Sequence, residues 1–185
     1  EEGLGLDVVS GGELSVAQTV GFPSEKIYFH GNNKSQDEID MALNYGIGRF
    51  VIDNFHEISL LSEATRQRGI VQDVLIRISP SVDPHTHSYT TTGTLDSKFG
   101  FPIETGQAEE AIRETMAEKS LNLLGLHFHL GSPIFELEPY SKAIEVTLAF
   151  SKKVGLPLKE LSPGGGFAIS YTKDQAPPSI ANYAE

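Results

Sequence analysis

Apolar residues in this chain come in short runs separated by amphipathic stretches. The runs are apolar at successive positions rather than at alternate ones, which is typical of strands covered on both faces. The pattern predicts six strands, at residues 4–10, 26–30, 49–53, 73–79, 121–130 and 158–162. Helical segments, in one case preceded by a long loop, separate them, so parallel strands with right-handed crossovers are expected.

Capping residues mark the ends of the predicted helices. Ser35, with Glu38 three residues later, forms a capping box. Either Asp53 or Asn54 caps the following helix, and Gly69 closes it. The predicted helices span residues 13–20, 35–45, 54–68 and 138–154.

Polar and glycine residues recur just after the strands. They are Asp7, His30 to Asn33, Asp53, Asn54, Arg77, His129 and Gly164 to Gly166. In a (βα) barrel all these positions meet on one rim, whereas an open doubly wound sheet gathers ligands near a single switch point. Contributions from every strand favour the barrel. A complete barrel has eight strands and typically ~250 residues, so the chain is expected to be an incomplete α/β barrel.

Two segments do not fit the alternation of strands and helices. Residues 81–106 form a predicted long loop, and loops of that length are usually functional or disordered. His85 and His87 lie in it and are expected near substrate or solvent. The tail from Tyr171 has no periodicity and is expected to lead into a second segment.

The composition narrows the class of partner. The formal net charge is −11, which argues against nucleic acid or an anionic membrane surface. The absence of cysteine excludes disulfides, thiolate metal sites and a cysteine nucleophile. No apolar run reaches the ~18 residues of a membrane span, and no signal peptide is visible, so a cytoplasmic location is expected. The first residue is Glu1, which suggests a cut or processed start.

His127 and His129 are two residues apart on a predicted strand, so their side chains share one face. One interpretation is a pair of metal ligands, as in a metal-dependent barrel hydrolase. The other is one core histidine satisfied by a hydrogen bond and one site histidine that stacks or donates. Metal barrels of that kind carry further His ligands downstream, and no histidine follows His129 in this sequence.

The triplet Gly164, Gly165 and Gly166 follows the last predicted strand. Glycines let backbone amides approach an anion, so the triplet predicts a phosphate nest, although a tight turn is the simpler alternative. Ser132, three residues after His129, offers a hydroxyl donor to the same anion or is an ordinary turn serine.

Charged residues near the strands give three further candidates. Arg77 lies within an apolar strand and needs an anionic partner, either Asp7, Asp53 or a substrate. Lys34 and Lys98 are the candidate amine nucleophiles, but neither is in a context that predicts burial.

Taken together, the motifs resemble the diaminopimelate decarboxylase family of pyridoxal-phosphate enzymes. The resemblance rests on GLDVVSGGE at 5–13, HGNNKS at 30–35, TG at 92–93, DSKFG at 96–100, HFHLGS at 127–132 and GGGF at 164–167. It implies an alanine-racemase-like barrel of the TIM type followed by a β domain. It also implies decarboxylation of meso-diaminopimelate to L-lysine and carbon dioxide, in a homodimer with a small amino-acid substrate.

The resemblance assigns roles to individual residues around the cofactor pyridoxal 5′-phosphate. His129 stacks on its pyridine ring, and Ser132 with the amides of Gly164 to Gly166 holds its phosphate. Asp7 and Arg77 lie around it at the rim. Lys98 is placed at the dimer interface, and Lys34 matches a structural helix start.

The departures from the family concern the rest of the site. The resemblance places the Schiff-base lysine upstream of Gly3, and the glutamate that pairs with the pyridine nitrogen downstream of Gly166. Residues 1–185 are therefore expected to be a partial cofactor-binding barrel without the first strand, the last strand and the C-terminal β domain, and inactive alone. Pro133 stands where the family usually has glutamine.

Three alternatives stay open at this point. Arginine, ornithine and carboxynorspermidine decarboxylases share the same barrel motifs. A metal-dependent barrel hydrolase using His127 and His129 is a second alternative. A non-catalytic module that keeps the phosphate site is the third.

Overall fold

The computed structural model describes residues 3–82, 98–170, 172 and 176–184. His85, His87, the motif at 92–93, Asp96, Ser97 and Tyr171 therefore lie outside the described residues.

Short strands alternate with helices along the described chain. The strands are β1 (Leu6–Val8), β2 (Ile27–Phe29), β3 (Arg49–Ile52), β4 (Gln72–Ser79), β5 (Phe101–Pro102), β6 (Leu121–His127) and β7 (Glu160–Ser162). The helices are α1 (Gly11–Thr19), α2 (Gln36–Tyr45), α3 (Phe55–Arg68), α4 (Gln107–Ala117), α5 (Glu138–Lys153) and α6 (Ile180–Ala184), with a 3₁₀ turn at Ser24–Lys26.

All the strand pairs are parallel, and the sheet runs in the order β1-β2-β3-β4-β6-β7. The short strand β5 pairs with the end of β4, through Ile78 and Ser79. Residues at alternate positions divide the sheet into two faces. One face packs under the helices in the main core, with Phe29, Phe50 and Ile76 fully buried.

The other face is concave. A small cluster of Val51, Leu75 and Leu124 lies on it against Tyr28. The rings of His30, directly after β2, and His127, at the end of β6, lie 4.7 Å apart between centroids, although the two strands are three places apart, about 14 Å in a flat sheet. The sheet is therefore curled into part of a barrel, which confirms the predicted incomplete parallel barrel over the open doubly wound sheet.

The predicted capping residues are confirmed. Ser35 and Glu38 form both halves of a capping box at α2. The side chain of Asn54, not that of Asp53, accepts the Glu57 amide at the start of α3. Gly69 ends that helix in the left-handed conformation.

Several elements differ from the prediction, and most of the observed strands are shorter than predicted. Strand β6 ends at His127 rather than at residue 130, because the chain turns away after Phe128, whose amide still donates to Ser162 O at 3.0 Å. The predicted loop at 81–106 contains β5, a two-residue strand too short to show periodicity. The tail contains α6, which Ser179 caps through the Asn182 amide.

Candidate functional site

Polar side chains of the concave face converge at the carboxyl ends of the strands. His30 follows β2, Asp53 follows β3, Arg77 lies on β4, His127 ends β6 and Ser162 ends β7. Arg77 pairs in register with His127, and His127 with Ser162. Asp53 joins this layer through its ion pair with Arg77, and His30 joins it through the contact of its ring with His127. This layer lies immediately above the apolar cluster of Val51, Leu75 and Leu124, so the barrel supports it from below.

His127 is the buried histidine of the predicted pair, with 4% of its surface exposed. Its Nδ1 lies 2.9 Å from Ser162 Oγ, and the edge of its ring meets His30. Burial lowers the pKa of His127 to about 2, and the neighbouring charges of His30 and Arg77 act in the same direction. His127 is therefore a neutral, hydrogen-bonded support for the layer.

His30 links this layer to Asp7. Its Nε2 lies 3.4 Å from Asp7 Oδ1, and the hydrogen bond from His30 holds the pKa of Asp7 below its usual value. The Asp7 side chain remains 71% exposed, so one of the predicted cofactor-site residues lies open, in the middle of β1.

His129 lies beyond the end of β6 and is exposed at the rim. Partial burial, and then the charges of Arg77 and His30, lower its pKa, so that the ring is neutral at neutral pH. Although only two positions separate them, His127 therefore lies in the core and His129 lies in the open site. Among the residues that the structure describes, no group of three or more His, Cys, Asp or Glu side chains is arranged to hold a metal ion.

Arg77 pairs with Asp53, one of the two carboxylates considered from the sequence. Arg77 Nη1 lies 3.4 Å from Asp53 Oδ2, while Asp53 Oδ1 accepts the Gly100 amide at 2.7 Å. The guanidinium also lies over the Phe99 ring, 4.7 Å from its centroid. Burial lowers the pKa of Arg77, and the Asp53 carboxylate opposes this shift. Asp53 on one side and the Phe99 ring on the other therefore hold the Arg77 guanidinium at the rim.

The glycine triplet is an irregular segment packed against His129, and it is called the glycine turn below. A Cβ on Gly164 would lie 2.6 Å from Phe128 O and 2.8 Å from His129 Nδ1. A Cβ on Gly166, whose φ is +95°, would lie 1.9 Å from Gly131 O. Both positions therefore exclude side chains. Gly165 has no atom near its Cβ position, so the turn is open on that side.

Hydrogen bonds to the triplet use its carbonyl groups. Gly165 O accepts from Tyr140 Oη at 2.8 Å, and Gly166 O accepts from the Ile134 amide at 2.8 Å. Within the described part of the chain, the amides of Gly165, Gly166 and Phe167 have no acceptor. A turn with bound carbonyls, unpaired amides and no side chains is suited to an anion such as a phosphate.

Ser132 lies in the neighbouring loop, exposed, between Gly131 and a cis peptide bond to Pro133. This loop lies beside the triplet because Ile134 pairs with Phe167 as an isolated parallel bridge. The predicted phosphate-side residues thus come from two adjacent loops, after β6 and after β7.

The expectation that Lys34 is not buried is wrong. Lys34 is 7% exposed, and its Nζ lies 2.6 Å from Glu57 Oε1. It also donates to Gly31 O and Val51 O, at 2.7 and 2.8 Å. The local sequence is polar, but the β2–α2 and β3–α3 turns close over the side chain. Lys98, in contrast, is exposed, as expected.

Sequence reasoning did not single out Ser162, Tyr140, Tyr183 or Glu57. Ser162 could have been found as the polar residue at the end of the last strand. The tyrosines have no local signal, since Tyr140 reaches Gly165 across 25 residues of sequence and Tyr183 reaches Ile134 across 49.

The sequence model of the family described as "Pyridoxal-dependent decarboxylase, pyridoxal binding domain" matches residues 1–185. The chain belongs to this family.

The chain is similar to particular members of this family in sequence and structure. It is 48% identical over 189 residues to diaminopimelate decarboxylase of Bacillus subtilis, covering 100% of this chain and 43% of that protein. A crystal structure of the M. jannaschii diaminopimelate decarboxylase in co-complex with L-lysine matches 97% of this chain and 42% of its own, with a TM-score of 0.89 and 36% identity.

A more distant structural relative is the lysine/ornithine decarboxylase of Vibrio vulnificus, complexed with cadaverine. It has a TM-score of 0.76 and 28% identity, over 95% of this chain and 43% of that one. The chain therefore spans about two fifths of the relatives that it matches. Its curled sheet is the incomplete TIM-type barrel of these decarboxylases. In the described residues, no helix is long and apolar enough to cross a membrane.

Proposed function

We propose that the complete protein containing this chain removes a carboxylate from meso-diaminopimelate and releases L-lysine and carbon dioxide. The observation that carries this proposal is the side-chain-free glycine turn beside His129 at the barrel rim, in a chain 48% identical to a diaminopimelate decarboxylase.

The residues present fit pyridoxal 5′-phosphate. The amides of Gly164 to Gly166 and the hydroxyl of Ser132 would hold the phosphate, because the turn has no side chains and its carbonyls are bound elsewhere. His129 would stack on the ring, and Asp7 and Arg77 would border it. When bound, the cofactor supplies an electron sink for cleavage of the bond to the carboxylate.

The other residues of the layer keep this arrangement in place. His127 stays neutral because it is buried, so it supports the rim without adding a charge. Asp53 balances the charge of Arg77 and keeps the guanidinium at a fixed position. The neutral ring of His129 is suited to stacking, since it brings no cation to the face of the cofactor.

The substrate distinguishes this proposal from the other decarboxylases of the same barrel type. Arginine, ornithine and carboxynorspermidine remain alternatives because they are decarboxylated on the same barrel type, and the Vibrio vulnificus relative is a lysine/ornithine enzyme. The higher identity to diaminopimelate decarboxylases supports meso-diaminopimelate.

The test is carbon dioxide release by the complete protein with pyridoxal 5′-phosphate, using the four substrates in parallel. The expected result is lysine and carbon dioxide from meso-diaminopimelate, at a kcat/KM well above those for the other three. A higher value for ornithine, arginine or carboxynorspermidine would overturn the substrate. Hydrolase activity that follows added zinc instead would overturn the reaction class.

The proposal also covers the organisation of the complete protein. The remaining barrel strands, the Schiff-base lysine and a C-terminal β domain would come from outside residues 1–185. We further propose that the complete protein is a homodimer in the cytoplasm, with Lys98 at the dimer interface. Light scattering of the complete protein tests the dimer.

A further inference from the structure

The sequence of the glycine turn does not by itself fix the orientation of one of its peptide groups. The peptide between Gly165 and Gly166 has glycine on both sides, so few steric contacts prevent it from rotating by half a turn. This peptide is trans, so its carbonyl and its amide N–H point in opposite directions. Its orientation therefore decides whether an anion at the turn meets an N–H donor or a carbonyl oxygen.

Tyr140 is positioned to hold the Gly165–Gly166 peptide in one orientation. It is the third residue of α5, 8% exposed, and its hydroxyl donates to Gly165 O at 2.8 Å. With the carbonyl held on the side of Tyr140, the Gly166 N–H is directed to the opposite side. Rotation of the peptide would break this bond and replace the N–H with an oxygen lone pair, which repels an anion.

A second tyrosine fixes the position of the first. The rings of Tyr183 and Phe167 each lie 5.9 Å from the Tyr140 ring, between centroids. Tyr183 Oη donates to Ile134 O at 2.7 Å, and the Ile134 amide donates to Gly166 O at 2.8 Å. The Tyr140 ring is thus held by packing that does not depend on its own hydroxyl.

We propose that Tyr140 is a positioning residue, whose hydroxyl holds the Gly165–Gly166 peptide with its N–H available to the phosphate of the cofactor. The inference rests on the proposed cofactor site. It concerns the phosphate alone, because the hydrogen bond acts on the turn and not on the residues around the ring.

The test compares two ligands that differ only in the phosphate. Dissociation constants of pyridoxal 5′-phosphate and of pyridoxal are measured on the complete protein and on its Tyr140→Phe variant. Phenylalanine keeps the ring packing and removes only the hydroxyl. One hydrogen bond is worth about a three- to tenfold change in affinity, so the preference for the phosphorylated ligand is expected to fall by that factor, with pyridoxal affinity unchanged.

Tyr45→Phe is the matched control. The Tyr45 hydroxyl also donates to a backbone carbonyl, Phe22 O at 2.7 Å, but this bond joins the last residue of α2 to the segment after α1. This variant is expected to keep the wild-type preference between the two ligands.

The outcomes separate the two proposals. A wild-type protein that binds both ligands equally overturns the phosphate site itself. A wild-type preference that Tyr140→Phe retains overturns only the role of Tyr140. A variant that loses affinity for both ligands to the same extent, through poor folding or otherwise, also overturns that role, because the inference requires a loss specific to the phosphate.

Discussion

His127 and His129 show how far chemistry at the residue scale depends on position. The sequence places both on one face and leaves a metal pair and a core-plus-site pair open. In the structure His127 is buried against Ser162 and His30, whereas His129 lies past the end of β6 at the open rim. The strand ends between them, which changes the surroundings of the second imidazole completely.

The low pKa of His127 predicts a loss of stability at acidic pH. Its folded pKa is about 2, while an unfolded histidine titrates near 6.5, so below that value only the unfolded state binds the proton. Unfolding free energy should therefore fall by about 1 kcal/mol per pH unit from ~6.5 downwards. Urea unfolding of the complete protein between pH 7.5 and 5 measures this slope.

His127→Gln should reduce the slope, since glutamine has no proton to gain. His56→Gln, which removes an exposed imidazole on α3, serves as the matched control for the substitution itself. Equal slopes in the wild type and His127→Gln would show that burial of His127 does not contribute to the pH dependence.

At the scale of elements, the predicted helix caps were confirmed because capping depends on residues three positions apart. Burial of Lys34 was missed because it depends on two turns that are distant in sequence. Lys34 precedes α2, and Glu57 lies in the first turn of α3. Their ion pair joins the β2–α2 unit to the β3–α3 unit, and the Glu57 side chain also accepts the Asp53 amide at 3.0 Å.

Lys34→Met should be strongly destabilising. It leaves the Glu57 carboxylate buried without its cation, where burial already raises the pKa of that group. Removing one partner of a buried pair costs about 3–5 kcal/mol of unfolding free energy, measurable by urea denaturation of the complete protein.

Arg113→Met is the matched control, because it breaks an exposed pair with Glu110 whose arginine is 76% exposed. It should cost less than about 1 kcal/mol. If the two substitutions cost the same, the Lys34–Glu57 pair does not stabilise the joined units as described.

At the scale of the whole molecule, curling of the sheet brings distant strands together. Arg49 on β3 reaches Glu160 on β7, with Nε 3.1 Å from Oε2, and also contacts Asp73 on β4 at 3.3 Å. Asn122 on β6 donates to Asp73 at 2.6 Å. These residues form a polar layer at the amino ends of the strands, opposite the proposed cofactor site.

Arg49→Met should weaken this cross-barrel layer. The arginine is 25% exposed and pairs with two carboxylates, so a loss of about 1–2 kcal/mol of unfolding free energy is expected, between the values for exposed and buried pairs. Arg66→Met, which removes a 56% exposed arginine from its pairs with Glu63 and Glu118, should cost less in the same urea experiment because these pairs are more exposed to solvent. A smaller loss for Arg49→Met than for Arg66→Met would contradict the role assigned to the layer.

The sequence by itself determined the order of the six predicted strands and of the helices between them, the caps of α2 and α3 and the positions of the rim residues, because these follow from periodicity and from residues a few positions apart. It also indicated the glycine turn, since three consecutive glycines lack side chains in any fold. Only the tertiary structure decided which acid pairs with Arg77, that Lys34 is buried and that Tyr140 holds Gly165. Those contacts join residues 23 to 25 positions apart, and their geometry exists only after the sheet curls and the helices pack on it.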